Sequence, residues 1–152
     1  MRKALFLDRD GVINIEKHHA YRKEDFEFTK GIFELCKEYA AAEYLIIVIT
    51  NQAGIAKGYY TEADFYSLTD WMIEQFRAQG VIISRVYHCP HHPDITGPCE
   101  CRKPNPGMIL KAIKDFDLDI SECALIGDKE SDLLAGRNAG IPEPNMTLFK
   151  EK

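Results

Sequence analysis

Two aspartates one residue apart, Asp8 and Asp10, close a short apolar run that begins at Lys3. On an extended segment residues i and i+2 point the same way, so both carboxylates can face one reacting centre. Such neighbours repel each other, which a bound cation or a raised pKa must offset. A third carboxylate, Asp128, follows another apolar stretch, Ala124-Leu125-Ile126 and Gly127. Three carboxylates form a hard, oxygen-rich set suited to Mg²⁺, an ion that keeps waters and accepts a phosphate oxygen. In its presence one carboxylate can attack phosphorus as a nucleophile while its neighbour protonates the leaving oxygen. An Asp-x-Asp alone also reads as turn and cap residues of an ordinary loop. What weighs against that reading is that several polar clusters end apolar strands together.

A second group of chemistry-bearing residues lies between 89 and 101. Cys89-Pro90-His91-His92 and Cys99-Glu100-Cys101 form two close ligand pairs. Thiolate and imidazole in a Cys-x-His and Cys-x-Cys arrangement suit tetrahedral Zn²⁺, with His91 or His92 as the imidazole. Four protein ligands leave no open position, so this Zn²⁺ is expected to be structural. It would order a Pro-rich loop poor in apolar residues and so place Arg102 and Lys103. The competing reading is a disulfide or free thiols. Five cysteines are an odd number, and a complete disulfide framework would strand one. Cys36 and Cys123 read as small buried fillers.

The elements that must hold these residues alternate between strand and helix. Lys3–Leu7 is a strand. Ile32–Ala42 has helical spacing through Ile32, Leu35, Cys36 and Tyr39. Leu45–Ile49 is aliphatic and mostly β-branched, as in a strand buried on both faces, and ends at Thr50-Asn51-Gln52. Thr61–Gln79 is predicted as a helix capped by Thr61 and stopped by Gly80. Val81–Tyr87 is a third strand. Pro106–Phe116 is a helix with Asn105 as cap. Ala124–Ile126, the helix Ser131–Ala139 and a fifth strand at Met146–Phe149 complete the pattern. Alternation of this kind implies a doubly wound parallel sheet, whose ligand sits beyond the carboxyl ends of the strands. Asp8 and Asp10, Thr50 and Asn51, and Asp128 all fall on that rim.

Composition narrows the classes. The chain has 152 residues, 45% hydrophobic and 28% charged, with a net charge of −5, which fits one globular domain over 1–152. The acidic balance argues against a nucleic-acid binder. The longest purely aliphatic run, Leu45–Ile49, falls far short of the roughly 20 residues of a membrane span. Met1-Arg2-Lys3 leads into the first strand without a signal-peptide pattern, so the expectation is a cytoplasmic protein, no membrane partner, and a monomer.

The order and spacing of these motifs resemble the haloacid dehalogenase superfamily of phosphotransferases. Asp8-Arg9-Asp10-Gly11-Val12-Ile13-Asn14 is similar to its first motif, Thr50-Asn51-Gln52 to its second, and Lys103 to its third. Gly127-Asp128-Lys129-Glu130-Ser131-Asp132 resembles its fourth. The resemblance implies a Rossmann-like sheet, with Asp8 as nucleophile and Asp10 as general acid and then base. It also implies Thr50 and Lys103 on the phosphoryl oxygens, and Mg²⁺ held by Asp8, the Asp10 carbonyl and Asp128. Asp132 is left to orient Lys129 or a metal-bound water, or to favour a helix N-terminus.

Within the superfamily, the Cys/His loop followed by Cys101-Arg102-Lys103-Pro104 resembles two phosphatase families, acting on heptose bisphosphate and on histidinol phosphate. That likeness implies Zn²⁺ on Cys89, His91, Cys99 and Cys101. It also implies a phosphorylated sugar contacted by Asn51, Gln52, Ala53, Arg102 and Lys129, with Arg102 on a second phosphate, as a planar guanidinium suits. Asn51–Tyr59, Lys103–Met108 and the Asp10–Asn14 run favour the heptose branch, and with it the supply of nucleotide-activated heptose for lipopolysaccharide. Ala53, where many relatives carry serine, and His18-His19-Ala20-Tyr21 depart from the pattern. No long insertion follows Asp10 or Thr61, so no large cap domain is expected. Segments 14–25 and 52–60 and the zinc loop must recognise the substrate. The reading from another class is a catalytically silent, zinc-stapled binding protein of the same fold.

Overall fold

A computed structural model describes residues 1–149. Its centre is a five-stranded, wholly parallel sheet in the order β3-β2-β1-β4-β5. The strands are β1 (Lys3–Leu7), β2 (Tyr44–Asn51), β3 (Ile83–Cys89), β4 (Ala124–Gly127) and β5 (Met146–Leu148). Five helices accompany them: α1 (Ile32–Ala41), α2 (Glu62–Ala78), a single turn α3 (Pro93–Thr96), α4 (Gly107–Phe116) and α5 (Glu130–Ala139). No helix among the described residues is long and apolar enough to cross a membrane.

The layers follow from the period of two along each strand. Leu5 and Leu7 of β1 with Ile46 and Val48 of β2 face α1 and α2, meeting Ile32, Cys36, Leu68, Met72 and Phe76. Ala4 and Phe6 with Ile47 and Ile49 face the other way, onto Met108, Ile109 and Ala112 of α4 and Ala135 of α5. Both sides of β1 and β2 are thus dry, which is why these strands are near-continuous aliphatic runs. Cys36 and Cys123 are buried free thiols within these two clusters, as their neighbours in sequence predict.

The chain winds outward from β1 through β2 to β3 on one face, then returns to β4 on the far side of β1. The strand order reverses between β1 and β4, where adjacent connections diverge and leave a crevice. Asp8 and Asp128 leave the sheet from these two strands.

Three element boundaries differ from the sequence reading. Thr50 and Asn51 belong to β2, paired in register with His88 and Cys89 of β3. β3 runs Ile83–Cys89 rather than Val81–Tyr87, because the Val81 amide donates to the Phe76 carbonyl and closes α2. α4 starts at Gly107, and Asn105 does not cap it. The Asn105 side-chain Nδ2 instead donates to the Cys99 carbonyl at 2.7 Å, tying helix entry to the Cys/His loop. Thr61 does cap α2, in a reciprocal pair of bonds with Asp64.

Beyond β1 the backbone turns sharply, and the Arg9 carbonyl accepts from the amides of Val12, Ile13 and Asn14. Gly11 takes φ +93° in this turn, and a Cβ there would collide with the Asp128 carboxylate. Residues 12–29 then double back beside the strand ends, held by Thr29 Oγ1 to the Val12 carbonyl at 2.5 Å and the Ile15 amide to the Glu27 carbonyl at 2.8 Å. Gly11→Ala should lower unfolding stability by about 1–3 kcal/mol, from the left-handed backbone and the displaced carboxylate together. Urea denaturation checks this, the expected result being a lower midpoint at unchanged slope.

Candidate active site

β1 delivers Asp8 onto the floor of the crevice, where its Oδ1 accepts from Lys103 Nζ at 2.9 Å. Lys103 is buried, and it also meets Asp132 Oδ1 at 2.5 Å and the Ile49 carbonyl at 3.2 Å. Asn51 fixes the lysine's backbone, accepting from the Lys103 amide at 3.1 Å and donating to its carbonyl at 3.4 Å. Asp132 is bonded through both carboxylate oxygens. One oxygen pairs with Lys103, and the other accepts from the backbone amides of Asp128 and Lys129 at 3.1 and 3.2 Å. It orients neither the Lys129 side chain nor the helix alone; it seats the buried lysine.

Burial dominates the electrostatics. It pushes the Asp8 carboxyl well above the ordinary carboxylate range, with Asp132 and Asp10 adding to the rise and Lys103 opposing it. Burial also raises Asp128, against which Asp132 stands as a like charge. For Lys103 burial works the other way, but Asp8 and Asp132 outweigh it and hold the ammonium above its usual range. The described groups thus carry more negative charge than the lysine answers, which is the condition that attracts a cation. Oxygens of Asp8, Asp128 and Asp132 lie within 4.8 Å of one another, and Asp128 Oδ1 is buried without any hydrogen-bond partner. An orphaned carboxylate oxygen beside a raised carboxyl fits a hard divalent ion such as Mg²⁺.

Asp10 lies at the edge of the same floor, gripped by five donor contacts. Arg9 reaches Oδ1 through Nε at 3.2 Å and Nη2 at 2.9 Å, and Oδ2 through Nη2 at 3.1 Å. Asn14 Nδ2 donates to Oδ1 at 3.0 Å, and Gln52 Nε2 to Oδ2 at 3.1 Å. Arg9 is only 1% exposed and lies over the rings of Phe26 and Phe65. Arg9 and Asn14 lie within the first motif, but the sequence assigns neither of them a role. Arg9 looks like a loop charge until Phe26 and Phe65, distant along the chain, close over it. Gln52 lines the outer cleft, but its side chain is buried and bonded to Tyr60, Thr50 and Asp10, and its backbone N–H to the Cys89 carbonyl.

The floor forms an inner cavity of about 60 Å³, lined by Asp8, Asp10, Asn51, Lys103, Lys129 and Asp132. It shares residues with a cleft of about 580 Å³ that Ala53, Lys57, Arg102, Lys129, His18 and His19 help to line. Glu16 belongs to both, a carboxylate that the sequence reading did not single out. A small anionic group fits the inner volume and a polar body the outer one. Arg102 Nη1 donates to the His91 carbonyl at 3.3 Å, which holds the guanidinium at the mouth of the cleft.

The Cys/His loop is compact. Cys89 Sγ lies 3.6 Å from His91 Nδ1 and 3.5 Å from Cys99 Sγ, while Cys101 Sγ lies 3.3 Å from His91 Nδ1 and 3.6 Å from Cys99 Sγ. Tetrahedral Zn–S and Zn–N bonds imply ligand separations of about 3.5–3.8 Å, so the four atoms fit that ion. Burial alone would raise the Cys99 thiol, but the Arg102 amide and the neighbouring ligands pull it down to about 7. His92 is not part of this group; its Nδ1 accepts from the Asp94 amide and caps α3.

A doubly wound sheet with an aspartate pair at its central strand end, a buried lysine and a further acidic strand end defines a phosphohydrolase of the haloacid dehalogenase class. A family model described as "HAD-hyrolase-like" matches residues 100–143. A D-glycero-alpha-D-manno-heptose-1,7-bisphosphate 7-phosphatase of Campylobacter jejuni is 56% identical over 139 residues, covering 91% of this chain and 78% of that one. The D-glycero-beta-D-manno-heptose-1,7-bisphosphate 7-phosphatase of Helicobacter pylori strain 26695 is 50% identical, covering 97% and 84%. Among solved structures, D,D-heptose 1,7-bisphosphate phosphatase of B. bronchiseptica, complexed with magnesium and phosphate, superimposes with a TM-score of 0.81 at 27% identity, covering 95% and 91%. The chain belongs to the D-glycero-D-manno-heptose-1,7-bisphosphate 7-phosphatase family of HAD-type hydrolases.

The raised Asp8 carboxyl has a consequence for stability. A group whose folded pKa exceeds its unfolded value stabilises the fold below the unfolded pKa and loses that contribution as pH rises through the folded one. Metal-free Asp8→Asn should therefore melt higher than the parent chain at neutral pH. The difference should shrink as the pH drops below the ordinary carboxylate range, which melting curves across that span can check.

Proposed function

We propose that the protein removes the 7-phosphate of D-glycero-D-manno-heptose 1,7-bisphosphate, in the cytoplasm, on the path to nucleotide-activated heptose. The observation that carries this reading is the inner cavity at the end of β1, floored by Asp8 and Lys103, opening onto a cleft that bears Arg102 and Lys129. One phosphate suits the inner site and the second suits the cationic mouth.

In this reading an Asp8 oxygen attacks phosphorus. The bond from phosphorus to the sugar oxygen breaks, and that oxygen takes the proton of Asp10. The Asp10 carboxylate then takes a proton from water as the water oxygen attacks phosphorus. The Asp8–phosphorus bond breaks, inorganic phosphate leaves, and both carboxyl groups return to their starting state. Lys103 and the Thr50 hydroxyl stabilise charge on the equatorial oxygens. Mg²⁺ would be held by Asp8, the Asp10 carbonyl and Asp128, where it supplies positive charge that lets an anionic nucleophile approach an anionic phosphoryl group. The side chain of Asn51 holds the backbone of Lys103 at its station, and Ala53 lines the wall of the sugar cleft. Cys89, His91, Cys99 and Cys101 would hold a structural Zn²⁺, which would fix the segment that carries Arg102 and Lys103 against the end of β3.

Phosphorus NMR of the reaction with Mg²⁺ tests the substrate. Loss of the 7-phosphate signal, with the 1-phosphate retained and faster turnover than of histidinol phosphate, is expected for one or both anomers. Faster turnover of histidinol phosphate would overturn the assignment. Asp8→Asn should lower turnover by about 10³-fold or more, as loss of a covalent nucleophile does. Elemental analysis should find one zinc per chain, and Cys99→Ser should lose it along with several degrees of melting temperature, because structural zinc binding is coupled to folding.

A further inference from the structure

His18 and His19 turn the doubled-back stretch beside the cleft with a backbone that side chains seldom adopt. Their φ angles are +47° and +62°, two left-handed residues in succession and neither of them a glycine. Histidine enters this region more readily than most residues, yet the conformation still costs free energy that its surroundings must offset. At His19 they do. The ring is half-buried and tilts against Tyr59, with centroids 4.8 Å apart, and lies 6.4 Å from the ring of Tyr60. Its Nδ1 is so close to the Gly54 backbone that a Cβ at residue 54 would come within 2.8 Å of it. Gly54 therefore admits the ring, and Nε2 is left as the nitrogen that can reach a ligand. His19 lines the cleft of about 580 Å³, and no hydrogen bond to its ring is present among the described residues.

What this ring can bind follows from its neighbours. Burial first, and the Lys57 ammonium next, hold its pKa below the usual imidazole value against the opposing pull of Glu16, so the ring is neutral at pH 7. A neutral imidazole offers one donor and one acceptor, the set that a hydroxyl answers. A phosphate is better served elsewhere in the cleft. Arg102 comes from the Cys/His loop and Lys129 from the start of α5, whereas on the histidine side Lys57 is offset by Glu16, whose carboxylate accepts from the His18 amide at 3.0 Å.

The geometry points to His19 as a specificity-determining residue: its ring hydrogen-bonds a hydroxyl on the carbon chain between the two phosphates of the substrate. This deepens the proposed function and rests on it. With the reacting phosphate in the inner cavity and the second at the cationic mouth, the carbon chain lies in the cleft that His19 lines.

Three esters separate the roles open to this ring. Heptose 1,7-bisphosphate carries hydroxyls and two phosphates. Heptane-1,7-diol bisphosphate carries the two phosphates on a chain of the same length without the hydroxyls, and 4-nitrophenyl phosphate has neither hydroxyls nor a second phosphate. His19→Phe keeps an aromatic ring against Tyr59 and removes both nitrogens. Its kcat/KM for the heptose bisphosphate should fall about tenfold, the upper worth of one hydrogen bond between uncharged groups, and for the other two esters by no more than about twofold. Equal losses on both bisphosphates would signify a phosphate contact, and equal losses on all three a merely structural ring. Either outcome overturns the proposal, as does no loss on any ester. Should His19→Phe not fold, His19→Asn, which suits the left-handed backbone but withdraws the ring from the cleft, must show the same bias. If the parent chain leaves the heptose bisphosphate intact, the proposed function fails and the His19 contact with it. Turnover by the parent with an unbiased variant rejects the His19 contact alone.

Discussion

Lys103 is the point on which the site depends. Around one buried ammonium the fold gathers Asp8, Asp132 and, a step further, Asp128, a set of acids that would not stay together without it. Desolvating several carboxylates is costly, and removing one partner of such a group leaves the others uncompensated. The lysine comes from a loop rather than from a strand. Its position is secured instead by Asn51 on its backbone, by Asp132 on its side chain, and by the Cys/His loop that precedes it. Sheet, helix α5 and Cys/His loop thus meet at a single nitrogen atom.

What the sequence discloses and what it hides can be separated physically. Asp8, Thr50 and Asp128 are legible because each ends a β-branched or aliphatic run, and a parallel sheet gathers such ends on one rim. The cluster of Cys89, Cys99 and Cys101 with a histidine is legible from its close spacing, whereas the preference for His91 over His92 rests on the likeness of motifs. Lys103 is different: no periodicity marks it, and only the likeness of motifs singles it out. Arg9 and Tyr60 could not be read at all. Each looks like a loop residue, and each is buried by partners brought from elsewhere in the chain: Phe26 and Phe65 over the guanidinium, Tyr21 on the phenol. Local pattern does not encode long-range closure. The misplaced start of β3 has a similar cause, because Val81 is apolar on account of the helix it closes, not the strand it precedes.

Gln52 illustrates a further distinction. A polar residue just after a strand end, beside a cleft, looks like a substrate ligand by position. Its burial and its full set of bonds make it part of the frame that aims other residues. The site is built in two tiers, with the carboxylates of Asp8 and Asp10 in front and a buried amide and guanidinium behind them. The rear tier is dry, so its hydrogen bonds are stronger and its vacancies more costly than the same groups would be in water.

β1, which carries Asp8, is the middle of five strands, with Ala4 to Leu7 wholly inaccessible to solvent and Leu5 to Leu7 paired on both flanks. Amide protons there can trade with deuterium only when the whole sheet comes apart, whereas residues 15–25 of the doubled-back stretch are mostly exposed and hang on a handful of bonds. Opening of the mouth and loss of the floor are thereby separated into a cheap, frequent event and a rare, global one. Traffic through the cleft leaves the alignment of Asp8 untouched.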